Sequence, residues 1–235
     1  MSISNGKKYV ELLNAREKLE GTRIFRMLLN LATSQYAVYR NYDELSSAIN
    51  KYEGDLEIWS IDKRGLLEAF LRELTRLLQN YLSSTYSLIE HNRRFCEDLN
   101  CSELNKSYSE KIRDLRRNDC VIFVRDLRTF SQHIGLPLLI GEISLKKLNM
   151  DSNTSEFKQR ILLQKEELFK WKGWNEASNN YVKSHEEIDL KLVLNEYQSL
   201  IKTFYEWFYK KVTELYSKDL TEYATITSEL MRLST

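Results

Sequence analysis

The chain has 235 residues, of which 42% are hydrophobic and 29% are charged, a composition typical of a globular protein. Its length predicts a single domain over residues 1–235. The 35 Lys and Arg residues are balanced by 34 Asp and Glu residues, which disfavours binding of nucleic acid by bulk electrostatics. One Pro and seven Gly are few for this length, and their scarcity disfavours all-β and Rossmann-type folds and favours a mainly α-helical one.

Hydropathy and cysteine spacing bear on the compartment of the protein. Apolar runs are shorter than the ~18–20 residues that a membrane span needs, and the start of the chain becomes charged and helical at once, unlike a secretory signal. Three Cys without a CxxC pair disfavour a disulfide framework or a zinc ribbon. Cys96 and Cys120 lie on apolar stripes and are predicted to be unreactive packing residues. We therefore expect a cytoplasmic protein that does not interact with membranes.

The first half of the chain has the apolar periodicity of long helices. A helical pattern covers residues 7–50, with an interruption near Gly21, and residues 52–60 are predicted to connect it to a helix over 62–99. The apolar positions of the first pattern are Leu12, Leu13, Leu19, Phe25, Leu28, Leu29 and Ala32. Those of the second are Leu67, Phe70, Leu71, Leu74, Leu77, Leu78, Tyr81, Thr85, Leu88, Ile89, Asn92 and Phe95.

The next segment contains the strongest stop signal in the sequence. Residues 100–110 are rich in Ser and Asn and are predicted to form a loop before a helix over 109–134. Gly135 is the expected C-cap of that helix, and Pro137 prevents its continuation. The predicted core face of the helix consists of Cys120, Phe123, Val124, Leu127, Phe130 and Ile134.

After Pro137 the apolar period becomes alternating, which predicts a β-hairpin over residues 138–164 that packs on the helices. Its two strands alternate around Leu139, Ile143 and Leu145 and around Phe157, Ile161 and Leu163. The C-terminal region over 165–233 is predicted to contain three helices, over 165–184, 188–217 and 219–233. An aromatic-rich stripe of the second is interpreted as a packing surface: Leu200, Phe204, Phe208, Val212 and Leu215.

The helix before Pro137 combines an apolar front with a polar back. With Leu127 at the centre of the front, Arg128 lies about 100° to one side and His133 about 120° to the other. Val121 and Ile122 lie on the back, which predicts that a second surface covers it. The polar residues between Arg128 and His133 on the back are Arg125, Thr129 and Gln132.

The spacing Arg128-x4-His133, late in a helix of an all-α protein, resembles the Arg-x4–6-His signature of the HEPN superfamily (higher eukaryotes and prokaryotes nucleotide-binding). Thr129 stands where that signature usually has Asn or another polar residue. The phrase LRTFSQHIGLPL is similar to LRNYxQHxGLP in a group of bacterial HEPN-like proteins, and RLLQNYLSSTYSLIEHNRR (76–94) is similar to a second segment of that group. The resemblance covers these two helices well and the rest of the chain loosely.

The resemblance implies a HEPN-like helical bundle that acts as a homodimer with its cleft at the interface. It implies a metal-independent endoribonuclease without a cofactor, of the kind found in toxin–antitoxin or phage-defence systems, with RNA as substrate and an antitoxin-like protein as a further partner. Such cleavage needs groups that transfer protons and a cation for the phosphorane, for which His and Arg are suited. His133 would be the acid/base and Arg128 the phosphate clamp. The supporting residues would be Arg125, Thr129, Gln132, Asn80 and His91.

The second segment also has a physical interpretation of its own. Spacings of four and three residues place a polar stripe beside the core face of the helix over 62–99. This stripe either lines a groove or is a solvated flank, and it borders the Arg128/His133 site if the two helices pack together. The residues of the stripe are Asn80, Ser84, Ser87, His91 and Arg94.

Other interpretations of the chain stay open. A His in the last turn of a helix is stabilised by the helix dipole without a catalytic role. Residues 111–133 have an excess of three positive charges, typical of either a small polyanion site or a solvated face. Under this alternative hypothesis, the chain is a non-catalytic helical module that binds a partner protein, RNA or a nucleotide. A metal site is disfavoured because the three His residues form no HxxxH or ExxH pair, and no GxSxG, GxGxxG or P-loop motif is present.

Overall fold

The computed structural model describes residues 3–55, 57–147 and 155–234. The protein is mainly α, which confirms the predicted helical fold with a β-hairpin after the helix that ends at His133. The helices are α1 (Ile3–Glu17), α2 (Glu20–Gly54), α3 (Arg64–Leu99), α4 (Ser102–Leu115), α5 (Asp119–His133), α6 (Lys165–Phe169), α7 (Glu176–Ser184), α8 (Leu190–Leu215) and α9 (Ser217–Ser234), with a single 3-10 turn at Ile61–Lys63. The strands are β1 (Leu139–Lys147), β2 (Ser155–Leu163) and β3 (Ile188–Asp189).

The two longest helices, α2 and α3, form an antiparallel pair. Every seventh residue of α2 is buried, at Ile24, Leu31, Val38, Leu45 and Tyr52. The same spacing occurs on α3, at Leu74, Tyr81, Leu88 and Phe95. Seven residues are nearly two helical turns, so each set forms one seam along its helix. Helices α4 to α8 and the sheet extend a connected apolar core from this seam, α9 packs on α2, and α1 packs on α9.

The apolar stripe of α2 differs from the predicted one. Phe25 and Leu29 are exposed, whereas the seam starts one residue earlier, at Ile24. Phe25 instead stacks on Tyr223 of α9, with ring centroids 4.6 Å apart. The predicted interruption near Gly21 is confirmed, because α1 ends at Glu17 and α2 begins at Glu20. Apolar residues occur on two sides of α2 because it packs on α3 on one side and on α9 on another.

The predicted loop over 100–110 and single helix over 109–134 are wrong, since α4 and α5 are separate helices. Asn100 adopts a left-handed conformation (φ 47°) that ends α3, and the Asn118 side chain accepts a hydrogen bond from Val121 N at the start of α5. Most residues of α4 are polar, and its apolar residues form one narrow side of the helix. The residues of that side are Leu104, Tyr108, Ile112 and Leu115, spaced by four, four and three.

The end of α5 confirms the predicted stop but not the predicted cap. Ile134, the C-cap, is right-handed and exposed, and it does not belong to the core face. Gly135 N donates to Phe130 O at 3.2 Å, and no Gly in the described residues has a positive φ. Pro137 is buried just before β1, where the chain becomes extended.

The predicted hairpin is confirmed, with β1 antiparallel to β2 so that Leu139 lies opposite Leu163. The polar segment NMDSNTS (149–155), which the alternating pattern predicts as the loop of the hairpin, lies outside the described residues except for Ser155. A third strand, β3, pairs with β2 and was not predicted, because two residues carry no periodicity. Gly141 of β1 lies so close to the Tyr52 hydroxyl and the Trp59 ring that a Cβ there would overlap them. The absence of a side chain thus lets the sheet pack on the end of α2.

The C-terminal region follows the predicted helices with two changes. The helix over 165–184 is interrupted by a turn that contains Trp171 and Trp174, so α6 and α7 are separate. The helix over 188–217 begins at Leu190, after β3. On α8, Phe204, Phe208 and Val212 are buried, which confirms the interpretation of the aromatic stripe as packing.

The seam predicts how two Leu substitutions on α2 will differ. Leu45→Ala is expected to lower the free energy of unfolding by about 3 kcal/mol, because it leaves a cavity between α2 and α3. Leu29→Ala, a matched change at a side chain that is 56% exposed, is expected to change it by less than about 0.5 kcal/mol. Urea denaturation followed by far-UV circular dichroism measures both, and equal losses would contradict the seam.

Candidate functional site

The front of α5 contains a buried carboxylate. Asp126 is only 7% exposed and lies among Phe123, Leu127 and Phe130. Its Oδ2 accepts hydrogen bonds from Ser178 Oγ (2.8 Å) and from the backbone N of Asn175 (3.2 Å) at the start of α7. Its Oδ1 accepts one from Arg125 Nη2 at 3.0 Å. The carboxylate therefore fixes α5 against the N-terminus of α7, where a negative charge is favoured.

Aromatic rings complete the contact between α5 and the α6–α7 region. The Trp174 ring is stacked against Phe123 and Phe130, with centroids 5.7 and 5.8 Å away and interplanar angles of 22° and 11°. Trp174 Nε1 donates to Leu168 O at 2.7 Å, so the indole has its polar atom satisfied. Phe123 also stacks on Tyr181. These contacts hold α5 from Phe123 to Phe130 in a rigid frame.

Arg128 projects from this frame toward α3. Its guanidinium carbon lies 3.7 Å from the centroid of the Tyr86 ring, a cation–π contact worth about 1 kcal/mol. Its Nε is buried without a hydrogen-bond partner, and no ion pair to Arg128 occurs in the described part of the chain. The stacking thus fixes the plane of the fork without neutralising its charge, an arrangement suited to a phosphate.

His133 is the last residue of α5 and is exposed. It lies five residues after Arg128, so the two side chains leave the helix about 140° apart. Within one copy of the chain, they flank the end of α5 on two sides and do not face each other.

The three predicted supporting residues of α5 have different environments. Arg125 is paired with Asp126, and Thr129 Oγ1 donates to Arg125 O within the helix at 3.2 Å. Gln132 is exposed next to His133. Gln132 and Thr129 adjoin His133 and Arg128 only as neighbours in sequence, whereas Arg125 donates hydrogen bonds to the buried carboxylate.

The structure does not bring Asn80 and His91 to Arg128. His91 Nδ1 lies 2.7 Å from Ser34 Oγ of α2, and Asn80 O accepts a hydrogen bond from Asn41 Nδ2 of α2. Tyr86, which contacts Arg128, is five and six residues from them and leaves α3 about 140° and 120° away. The polar stripe of α3 therefore borders α2, although α3 does pack against α5.

Two apolar features of this region differ from expectation or were missed. Val121, expected under a second surface, packs against the core of the same chain, and with Ile122 it borders a cavity beside α4. A new exposed surface follows His133 directly. We call it the apolar strip, and it consists of Ile134, Leu136, Leu138 and Ile140. Its alternation around buried Pro137 and Leu139 was readable in the sequence as an unpaired outer face.

Groups for other chemistries are not assembled in the described residues. Within residues 3–55, 57–147 and 155–234, no three His, Cys, Asp or Glu side chains cluster in a way that could hold a metal ion. Burial raises the pKa of the Cys96 and Cys120 thiols to about 12, so they are poor nucleophiles, in line with their predicted packing role. No helix of the described chain has the length and apolar character to cross a membrane.

Asp126 is the residue of this region that the sequence analysis missed, and its removal tests the frame. Asp126→Ala is expected to lower the free energy of unfolding by about 3 kcal/mol, because the Ser178 hydroxyl and the Asn175 N–H lose their buried acceptor. Asp114→Ala, which removes an exposed pair with Arg117, is expected to cost less than about 0.5 kcal/mol. Chemical denaturation measures both, and a neutral Asp126→Ala would show that the carboxylate does not hold α5.

Comparison with known proteins adds no relative to this geometry. No protein-family model, no curated protein and no solved structure matches the chain. The HEPN resemblance therefore rests on the residues that carry it, above all Arg128 and His133.

Proposed function

We propose that the protein is a metal-independent endoribonuclease of HEPN type that acts as a homodimer, with Arg128 and His133 of both copies in one cleft. The observation that carries the proposal is the end of α5, where an oriented, unpaired Arg128 and an exposed His133 adjoin the apolar strip. RNA is the proposed substrate, and a toxin or phage-defence role with an antitoxin-like partner is part of the same proposal.

The apolar strip supports the dimer. Large exposed apolar surfaces mark interaction sites, and this one starts at the residue after His133. A two-fold interface pairs the same surface of both copies. If the apolar strip lies on the two-fold axis, the two His133 side chains lie near that axis as well. Each copy then contributes its own Arg128 on the side of the cleft where its partner has none.

The chemistry follows from these groups. One His133 accepts the proton of a ribose 2′-OH while the 2′-oxygen forms a bond to the adjacent phosphorus. The P–O5′ bond breaks, and the second His133 donates a proton to the leaving 5′-oxygen, which yields a 2′,3′-cyclic phosphate and a 5′-hydroxyl. The guanidinium of Arg128 stabilises the additional negative charge of the phosphorane through its planar fork.

A non-catalytic module is the second candidate, and one observation favours it. His91 contacts α2 and does not join His133, so the site of one chain has a single His. Binding of RNA or of a partner protein by Arg128 and the apolar strip needs no proton transfer. Both candidates use the same surface and differ in whether RNA is cleaved.

Cleavage of structured RNA by the purified protein separates them. We expect cleavage that persists in EDTA and yields 2′,3′-cyclic phosphate ends, with His133→Ala and Arg128→Ala each lowering the rate at least about 100-fold. His185→Ala is the matched control, because His185 bonds to Tyr181 O and belongs to another region. No cleavage, or equal cleavage by all variants, would contradict the enzyme.

The dimer has its own test in the apolar strip. Leu136→Asp and Leu138→Asp are expected to convert a dimer to a monomer in sedimentation-velocity experiments, because each buries a carboxylate in the proposed interface. Leu192→Asp, the same change at an exposed Leu of α8, is expected to leave the dimer intact. A wild-type monomer, or dimers in all three variants, would exclude this interface.

A further inference from the structure

A cavity of about 230 Å³ lies between α3, α4, α5 and α8, apart from the end of α5 that carries His133. Most of its wall is apolar or aromatic. The residues that shape it include Ile89, Tyr108, Ile112, Leu115, Ile201 and Phe204. An apolar cavity of about 150 Å³ in another protein holds benzene, so this one has room for a bicyclic ring.

One wall of the cavity carries a polar group without a partner. Asn92 of α3 is 1% exposed, and neither its Nδ2 nor its Oδ1 has a hydrogen-bond partner in the described residues. Buried amides are almost always hydrogen-bonded, because an unsatisfied donor and acceptor destabilise the fold. A ligand that presents an acceptor and a donor side by side would satisfy both polar atoms of this amide.

Among the charged residues that line the cavity, one cation has no ion pair in the described residues. Arg93, Arg116 and Arg125 line the cavity together with a single carboxylate, Glu90. Arg93 pairs with Glu90 and Glu97, and Arg125 with Asp126. Arg116 forms no ion pair within the described residues, so its charge is available to an anion.

We propose that this cavity binds a small heteroaromatic anion. The ring system lies among Tyr108, Ile201 and Phe204 and presents a donor–acceptor edge to Asn92, and its phosphate or carboxylate lies at Arg116. The volume of the cavity selects the size of the ring system, the unpaired Asn92 amide selects the donor–acceptor edge, and Arg116 selects the anionic group. The site does not depend on the proposed ribonuclease, because binding and cleavage are measured separately.

Calorimetric titration of the full chain tests the site. The probes are adenosine 5′-monophosphate and pterin-6-carboxylate, which carry the two kinds of anionic group on a ring with a donor–acceptor edge, with adenosine and pterin as their neutral counterparts. We expect saturable binding of at least one anionic probe and at least tenfold weaker binding of its neutral counterpart. Binding of the phosphate alone identifies a nucleotide-like ligand, and binding of the carboxylate alone identifies an aromatic acid.

Three variants assign the binding to the cavity. Arg116→Ala is expected to weaken the anionic probe at least tenfold, whereas Arg113→Ala, the same change on α4 at a residue that does not line the cavity, leaves it unchanged. Asn92→Leu is expected to abolish binding and to raise the melting temperature of the free protein, because it removes the unsatisfied amide. No binding by any probe, or a melting temperature lowered by Asn92→Leu, would overturn the proposal.

Discussion

The seam between α2 and α3 is the constraint on which the other elements depend. Two helices of 35 and 36 residues bury a seven-residue repeat against each other, and this fixes how they turn about their axes. Outside the seam, α3 packs on α4, α5 and the sheet, and α2 packs on α9 and α8. The position of Arg128 follows, because Tyr86 lies on the side of α3 that the seam leaves for α5.

Much of the fold was predictable where one strong signal acts alone. The α3 stripe and the stop at Pro137 have no competitor in their segments, and both predictions are confirmed except at Ile89 of the stripe, which is exposed. Elsewhere two signals compete. The sequence of α2 has apolar residues for α3 and for α9, so its seam was placed one residue too late. The polar composition of α4 concealed four apolar residues at helical spacing, and β3 is a strand only because β2 is beside it.

The candidate site was predictable to the extent that it lies on one helix. Arg128 and His133 are brought to the end of α5 by the sequence of that helix and by the stop after it. The predicted position of Asn80 and His91 near Arg128 depended on which side of α3 meets α5. A polar stripe beside a core face is compatible with packing on either α2 or α5, and the structure has it at α2. Asp126 was overlooked because a carboxylate on an apolar face is usually assigned to the solvent. Its position between Phe123 and Phe130 was the signal that it is buried.

The antiparallel arrangement of α2 and α3 also bears on how the chain folds. Tyr52 and Phe70, on either side of the connection between the helices, have ring centroids 5.0 Å apart, so the first contact of the pair closes a short loop. Each later contact along the seam joins parts of α2 and α3 that are already held close together, so it closes only a short additional loop. The bond between Asp126 and Ser178 instead joins residues 52 positions apart. We therefore expect the antiparallel pair of α2 and α3 to nucleate folding and the frame around α5 to dock late, which makes the end of α5 the first part of the core to open in the native protein.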